Sequence, residues 1–309
     1  MNVIFMGTPQ FAVPTLERVV EAGHRVLAVY TQPDRPKGRG QKETISPVKE
    51  AALRLGLQVR QPERVRRPEV VAELQAAHPD AMVVVGYGQI IPQSIIEIPP
   101  LGIINVHASL LPKYRGAAPI QWAIARGETC TGVTTMMINA GLDTGDMLLK
   151  SDTEIGPDET SVELGARLAT AGADLLVETL RGLEAGTITR RPQDDSQATL
   201  APIIKKEDGL IDWSMPASSI LNRMRAFVPW PGTYTFFRGQ RFHIWRARTA
   251  AESVEPGVLR VLGRRAVAGC GERTAIELVE VQLEGRKRMP AAAFLNGNPI
   301  QDKEVLANC

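Results

Sequence analysis

Short apolar segments alternate with helical patterns through the first 110 residues, and this alternation constrains the fold more than any other feature. Between the first two segments, apolar residues recur at helical spacing until Gly23, with Thr8 placed to cap that helix. Strands that alternate with helices predict a doubly wound, mainly parallel α/β sheet. The segments with the composition of buried strands are Val3–Met6, Arg25–Tyr30, Leu57–Arg60, Ala81–Val85 and Gly102–Val106.

Polar side chains gather where the fifth predicted strand ends. Asn105 and His107 stand two residues apart, so both point to the same side of an extended backbone. Open α/β sheets bind their ligands at the carboxyl ends of the strands. Two hydrogen-bond donors aimed at one point are suited to stabilise a developing oxyanion. The structural alternative is a histidine that ends the strand beside a capping asparagine.

A second loop, Asn139–Asp146, supplies a carboxylate. It lies between apolar strands predicted over Thr131–Ile138 and Met147–Lys150, and two glycines flank its Asp143. Flanking glycines are typical of a tight turn, which would project the carboxylate from the edge of the sheet. A calcium loop is the alternative, but the alternating acidic ligands and the terminal glutamate of such loops are missing.

Together the two loops resemble those of the folate-dependent formyltransferases. Other motifs resemble the family members that formylate methionyl-tRNA, namely Phe5–Pro9, Gln32–Pro36 and Pro229–Tyr234. The resemblance covers nearly the whole chain. The pattern that carries it is Asn105-x-His107, then Ser109-Leu110-Leu111-Pro112-x-Tyr114-Arg115-Gly116, then Asp143-Thr144-Gly145.

This resemblance implies an enzyme that passes the formyl group of 10-formyltetrahydrofolate to the α-amino group of initiator methionyl-tRNA. Transfer would be direct, through a tetrahedral intermediate, and would release tetrahydrofolate. Asn105 and His107 would donate hydrogen bonds to the formyl oxygen, while Asp143 would favour the charged imidazolium and relay the amine proton. No metal is implied. The alternative enzyme uses the same folate to formylate an amino-sugar nucleotide.

The resemblance also implies binding residues. Folate would lie against a wall formed by Ser109, Leu110, Leu111 and Pro112. Backbone groups around Gln89 and Ile90 would meet its pterin ring. The tRNA would contact Lys206 and Arg39, the latter in a long basic loop whose cations can follow a phosphate backbone. Charge alone leaves both tRNA contacts open, because a solvated loop and a surface lysine would look the same.

Two other classes of function fit the residues less well. A nicotinamide oxidoreductase needs a glycine fingerprint, yet Gly7 stands alone and Ile91 occupies the third glycine position after Gly86 and Gly88. An RNA-binding barrel attached to an inactive α/β domain would bind tRNA without consuming formyltetrahydrofolate. The presence of all three polar side chains at the predicted strand ends argues against that second class.

The C-terminal third has a different pattern. After helices predicted over Thr160–Leu183 and Ala217–Ala226, short β-rich segments separated by glycines predict a small antiparallel barrel, for which the resemblance implies an OB-like fold. We expect a catalytic domain over 1–189, a linker over 190–207 and a tRNA-binding barrel over 208–309. Alternation assigns most barrel aromatics to the core, although these side chains could instead stack on bases: Trp230, Tyr234, Phe236, Phe237, Phe242 and Trp245.

Composition sets weak bounds on partners and location. From residue 208 onwards there are 14 Lys/Arg against 10 Asp/Glu, a modest excess that a polyanionic partner or a solvated surface explains equally. Three scattered cysteines form no disulfide or metal pattern, and we expect no signal peptide or membrane span. A cytoplasmic location is therefore expected. A monomer is expected too, because no heptad pattern demands a partner.

Overall fold

The computed structural model describes residues 1–37, 42–301 and 304–307. The chain divides into two compact units. The first comprises Met1–Pro119, Cys130–Glu154 and Leu164–Pro202, and the second comprises Ile120–Thr129, Ile155–Glu163 and Ile203–Cys309.

The first unit is built on a seven-stranded sheet with the order β5-β2-β1-β6-β7-β8-β9. All pairings from β5 to β7 are parallel, whereas β8 pairs antiparallel with both β7 and β9. The predicted mainly parallel class is confirmed. The strands are β1 (Asn2–Gly7), β2 (Arg25–Tyr30), β3 (Arg35–Lys37), β4 (Lys42–Thr44), β5 (Val59–Arg60), β6 (Ala81–Val85), β7 (Ile103–His107), β8 (Cys130–Met137) and β9 (Met147–Glu154), of which β3 and β4 form a separate hairpin.

The first helix begins later than the sequence predicts. A 3-10 turn over Gln10–Ala12 precedes α1, and the Thr8 hydroxyl donates to the Tyr87 carbonyl oxygen at 3.1 Å instead of capping a helix. The predicted cap is wrong because this long-range hydrogen bond takes the hydroxyl. The helices from here to residue 184 are α1 (Val13–Glu21), α2 (Pro47–Arg54), α3 (Pro68–Ala76), α4 (Gln93–Ile96), α5 (Pro119–Ala125) and α6 (Ser161–Glu184).

The central strands of the first unit are buried along almost their whole length. Every residue of β6 is buried, as are five of the six residues of β1. Such continuous burial is typical of parallel strands covered on both faces. Tyr87, directly beyond β6, is also buried, and the loss of hydration raises the pKa of its phenol to about 12. The packed strands thus hold the loops at their carboxyl ends in place.

The second unit contains an antiparallel sheet with the order β10-β11-β14-β13-β12-β16, to which β15 adds beside β14. The predicted small antiparallel barrel is confirmed. Its elements are α7 (Ala217–Ala226), β10 (Tyr234–Phe237), β11 (Gln240–Ala250), β12 (Val258–Leu262), β13 (Arg265–Gly269), β14 (Ala275–Leu283), β15 (Met289–Pro290), α8 (Ala291–Gly297) and β16 (Glu304–Val305).

The end of the chain nearly closes this barrel. Val305 pairs with Val258 of β12, and Ala307 exchanges two backbone hydrogen bonds with Phe236 of β10. The same short segment therefore pairs with both β10 and β12.

The barrel interior is aromatic. Phe237, Phe242 and Phe294 pack with ring centroids 4.8 to 5.8 Å apart, so two of the predicted base-stacking candidates belong to the core. Tyr234 is buried as well, whereas Trp230 is 58% exposed. Among the described residues, no helix is long and apolar enough to cross a membrane.

Candidate active site

Strand β7 carries Asn105 and His107, and its neighbours are β6 on one side and β8 on the other. Asn105 is half-buried, and its side-chain amide forms no hydrogen bond to any other described residue. Its N–H groups are thus available to a bound molecule. His107, by contrast, is buried and held by its surroundings.

Both ring nitrogens of His107 face protein oxygens. Nε2 lies 2.9 Å from the Tyr114 carbonyl oxygen, and Nδ1 lies 3.7 Å from Oδ2 of Asp143. Because a carbonyl oxygen only accepts hydrogen bonds, the first contact places a proton on Nε2. Nδ1 is then the ring nitrogen that faces the carboxylate, so the structure brings His107 and Asp143 together as expected from the sequence.

Asp143 is held in a backbone conformation that side chains disfavour. Its φ is +51°, and that of Tyr114 is +62°. Such left-handed conformations cost about 1–3 kcal/mol each and persist only where surrounding contacts enforce them. One of those contacts is the Gly116 amide, which donates to Oδ2 of Asp143 at 2.8 Å. This hydrogen bond therefore connects the loop after β7 to the loop after β8.

The predicted folate wall has two buried and two accessible members. Ser109 and Leu111 are buried, whereas Leu110 and Pro112 keep part of their surface exposed. A hydroxyl on β8 fixes this loop, because Oγ1 of Thr134 donates to the Ser109 carbonyl and accepts from the Leu111 amide. Leu110 and Pro112 are the members of this wall with the surface to meet a ligand.

The loop after β6 contains the other two predicted folate residues. The Gln89 side chain accepts a hydrogen bond from the Val65 amide at 2.7 Å and donates to the Pro62 carbonyl at 3.2 Å. The side-chain amide of Gln89 is therefore occupied by hydrogen bonds to a neighbouring loop. Ile90 is 91% exposed, a large apolar side chain at the carboxyl end of the strand beside β7.

Only one of the two predicted tRNA contacts belongs to the described residues. Arg39 falls outside the described residues. Lys206 is exposed and begins a 3-10 turn, Lys206–Gly209, in the second unit.

The structure also reveals a residue that the sequence does not mark. Gln193, in the predicted linker, hydrogen-bonds to Arg115 and to the backbone of the Asp143 loop. Arg115 is only 7% exposed, although the motif that contains it predicts no separate role for it. No sequence signal identifies Gln193. For Arg115 a signal exists, because it is a charged residue within the motif that follows His107.

No described cluster of three or more His, Cys, Asp or Glu side chains could hold a metal ion. What the site offers is an unpaired amide, an imidazole and a carboxylate at the carboxyl end of a parallel strand. Groups of this kind can stabilise negative charge on an oxygen and move a proton.

Comparison with known proteins defines the class. Residues 1–180 match the formyl transferase family model, and residues 203–299 match the model of the formyl transferase C-terminal domain. The chain belongs to the formyl transferase family. It is 65% identical over 308 residues to the methionyl-tRNA formyltransferase of Solibacter usitatus (strain Ellin6076), covering 99% of this chain and 98% of that protein.

Further comparisons agree with that assignment. The methionyl-tRNA formyltransferase of Koribacter versatilis (strain Ellin345) is 61% identical over 96% of both chains. A crystal structure of the N-formyltransferase from Helicobacter canadensis, in complex with folinic acid and dTDP-3-aminofucose, matches with a TM-score of 0.65 at 17% identity, covering 89% of this chain and 98% of that one. That distant likeness concerns the fold.

Proposed function

We propose that this enzyme transfers the formyl group of 10-formyltetrahydrofolate to the α-amino group of initiator methionyl-tRNA. The observation that carries the proposal is the contact between His107 and Asp143 beside the unpaired amide of Asn105. The 65% identity to a methionyl-tRNA formyltransferase over almost the whole chain supports this substrate over an amino-sugar nucleotide.

The reaction is an acyl transfer. The neutral amine attacks the formyl carbon, a carbon–nitrogen bond forms, and the formyl oxygen becomes negative. An α-amino group titrates close to neutral pH, so an appreciable fraction needs no base to become a nucleophile. The tetrahedral intermediate then collapses as the bond to N10 of the folate breaks. The attacking nitrogen loses one proton and N10 gains one, which yields formyl-methionyl-tRNA and tetrahydrofolate.

Each of the three side chains has a distinct task in this proposal. Asn105 donates to the formyl oxygen as its charge develops, because its amide has no protein partner among the described residues. Nε2 of His107 donates to the Tyr114 carbonyl, so only the imidazolium form, with a second proton on Nδ1, can donate from Nδ1 to the formyl oxygen. Asp143 stabilises the resulting imidazolium and accepts the amine proton for delivery towards N10.

We propose that Ser109, Leu110, Leu111 and Pro112 form one side of the folate site. The accessible surfaces of Leu110 and Pro112 make the contact, and the buried Ser109 and Leu111 shape the loop. On the other side, the exposed side chain of Ile90 and the backbone next to Gln89 receive the pterin ring. Apolar walls with a few placed polar groups are usual for such ligands.

The test of function compares two acceptors. The purified protein is supplied with 10-formyltetrahydrofolate labelled in the formyl group, together with initiator methionyl-tRNA or dTDP-3-aminofucose. We expect label to enter the methionyl-tRNA and turnover on the sugar nucleotide to be at background. Transfer to the sugar nucleotide alone, or to neither acceptor, would overturn the proposal.

We also propose that Arg39 and Lys206 contact the tRNA. Each contact between a cation and a phosphate releases counterions, so Arg39→Ala should weaken binding and reduce the slope of log affinity against log salt by about 0.7–0.9. Binding of methionyl-tRNA is measured between low and physiological salt. Arg25→Ala is the matched control, because Arg25 is exposed at the amino end of β2 and should leave the slope unchanged. An unaltered slope in Arg39→Ala would contradict the contact.

We further propose that the enzyme is a monomer in the cytoplasm, where charged tRNA and folates occur together. Relatives named for a reaction on methionyl-tRNA support that location.

A further inference from the structure

Residues 191–201, here the strap segment, run beside both loops of the candidate site. Arg191 exchanges two backbone hydrogen bonds with Met147, at the start of β9. At the other end of the strap segment, the Arg115 amide donates to the Thr199 carbonyl at 2.8 Å, and the Ala201 amide donates to the Arg115 carbonyl at 2.7 Å. The segment predicted as a linker is thus paired with the first unit through its backbone.

Gln193 uses every hydrogen-bonding position of its side chain in this arrangement. Nε2 donates to the carbonyl oxygens of Asp143 and Gly145, both at 2.8 Å. Oε1 accepts from Nε and Nη2 of Arg115, at 3.0 and 2.8 Å. An amide offers two donors and two acceptor positions, so this one is saturated. A single side chain therefore joins the Asp143 loop to the loop that follows β7.

Arg115 is a suitable partner for this role. Its side chain is only 8% exposed, and Nη2 is also paired with Oδ1 of Asp195 at 2.7 Å. Buried charges must be paired and hydrogen-bonded, which fixes the position of the side chain. Tyr114, the residue before it, supplies the carbonyl that holds Nε2 of His107, and Gly116, the residue after it, holds the carboxylate of Asp143.

We propose that Gln193 is a positioning residue for formyl transfer. It keeps the backbone of Asp143 in its left-handed conformation and at a fixed distance from the loop that orients His107, without touching substrate. A displacement of about 1 Å in a catalytic group can lower the rate by about 10²-fold, so the geometry of this contact matters. The inference rests on the proposed function and assigns the strap segment a part in it.

The test replaces Gln193 by methionine, which has similar length but no hydrogen bonds. We expect kcat for formyl transfer to fall by about 10–100-fold, while KM for 10-formyltetrahydrofolate and for methionyl-tRNA stays within about twofold. Gln193→Glu should be slow as well, because it keeps an acceptor for Arg115 but loses the donors to Asp143 and Gly145. A kcat within twofold of the wild type in both variants would overturn the inference.

A double variant distinguishes positioning from loss of folding. If Gln193 acts through Asp143, then Gln193→Met should cost at most about twofold when Asp143 is already asparagine. An equal loss in both backgrounds, or a matching drop in the melting temperature, would indicate a structural role and overturn the inference. Gln197→Met is the control, because Gln197 is exposed and, of the described residues, its amide bonds only to nearby Asp194. Failure of the proposed function would look different, because the wild-type protein itself would then transfer no formyl group.

Discussion

Asn105→Ala should lower kcat for formyl transfer to methionyl-tRNA by about 10²–10³-fold. Its amide lies half-buried at the carboxyl end of β7 and has no hydrogen-bond partner among the described residues, so it can donate to the formyl oxygen without giving up another contact. The bond strengthens as negative charge develops. KM for either substrate should therefore change little, and the loss should appear in single-turnover rates at saturating substrate.

Asn105→Asp is the matched companion to that variant. Aspartate keeps the size and shape of asparagine but replaces the N–H donors by a carboxylate, which would repel the developing oxyanion. We expect a loss at least as large as that of the alanine variant. If the aspartate variant retains more than about a tenth of the wild-type rate, asparagine is not acting as an oxyanion donor.

Asp143→Asn should reduce kcat by about 10²–10⁴-fold, the usual range for a group that transfers protons. The substitution is close to isosteric, and the new amide oxygen can still accept the hydrogen bond of the Gly116 amide. What it removes is the negative charge 3.7 Å from Nδ1 of His107 and the acceptor for the amine proton. The rate is measured at saturating 10-formyltetrahydrofolate and methionyl-tRNA.

Asp146→Asn serves as the control for this second variant. Asp146 belongs to the same loop, and its backbone carbonyl, which accepts from the Met137 amide, is unaffected by the substitution. Its rate should stay within about twofold of the wild type, since the Asp146 side chain forms no hydrogen bond or ion pair with another described residue. Equal losses in the two variants would show that the loop responds to any loss of charge and would contradict a specific role of Asp143.

The sequence was informative wherever periodicity and strand position determine the structure. Period-two alternation predicted that Asn105 and His107 point to the same side of an extended backbone, and both lie on β7. The flanking glycines predicted the turn around Asp143, and short segments separated by glycines predicted the barrel. The antiparallel pairing of β8 and β9 follows from the short loop between them, because adjacent strands joined by a short connection run in opposite directions.

The contacts of residues 191–201 could not be predicted in the same way. Most of them are backbone hydrogen bonds, which any residue can form, and the stretch is polar with no period. Gln193 therefore looked like any surface glutamine. The capping role of Thr8 failed for a related reason, because its partner, Tyr87, lies 79 residues away in sequence. Long-range partners of single polar side chains leave no local signature.

The near closure of the barrel by residues 304–307 has a consequence for the behaviour of shortened chains. Without this segment, β10 and β12 would each present a row of unsatisfied backbone groups. Exposed strand edges are templates for pairing between molecules. Removal of residues 304–307 should thus make the protein prone to aggregate. We expect the yield of unaggregated protein to fall while the formyl-transfer rate of the remaining protein is unchanged.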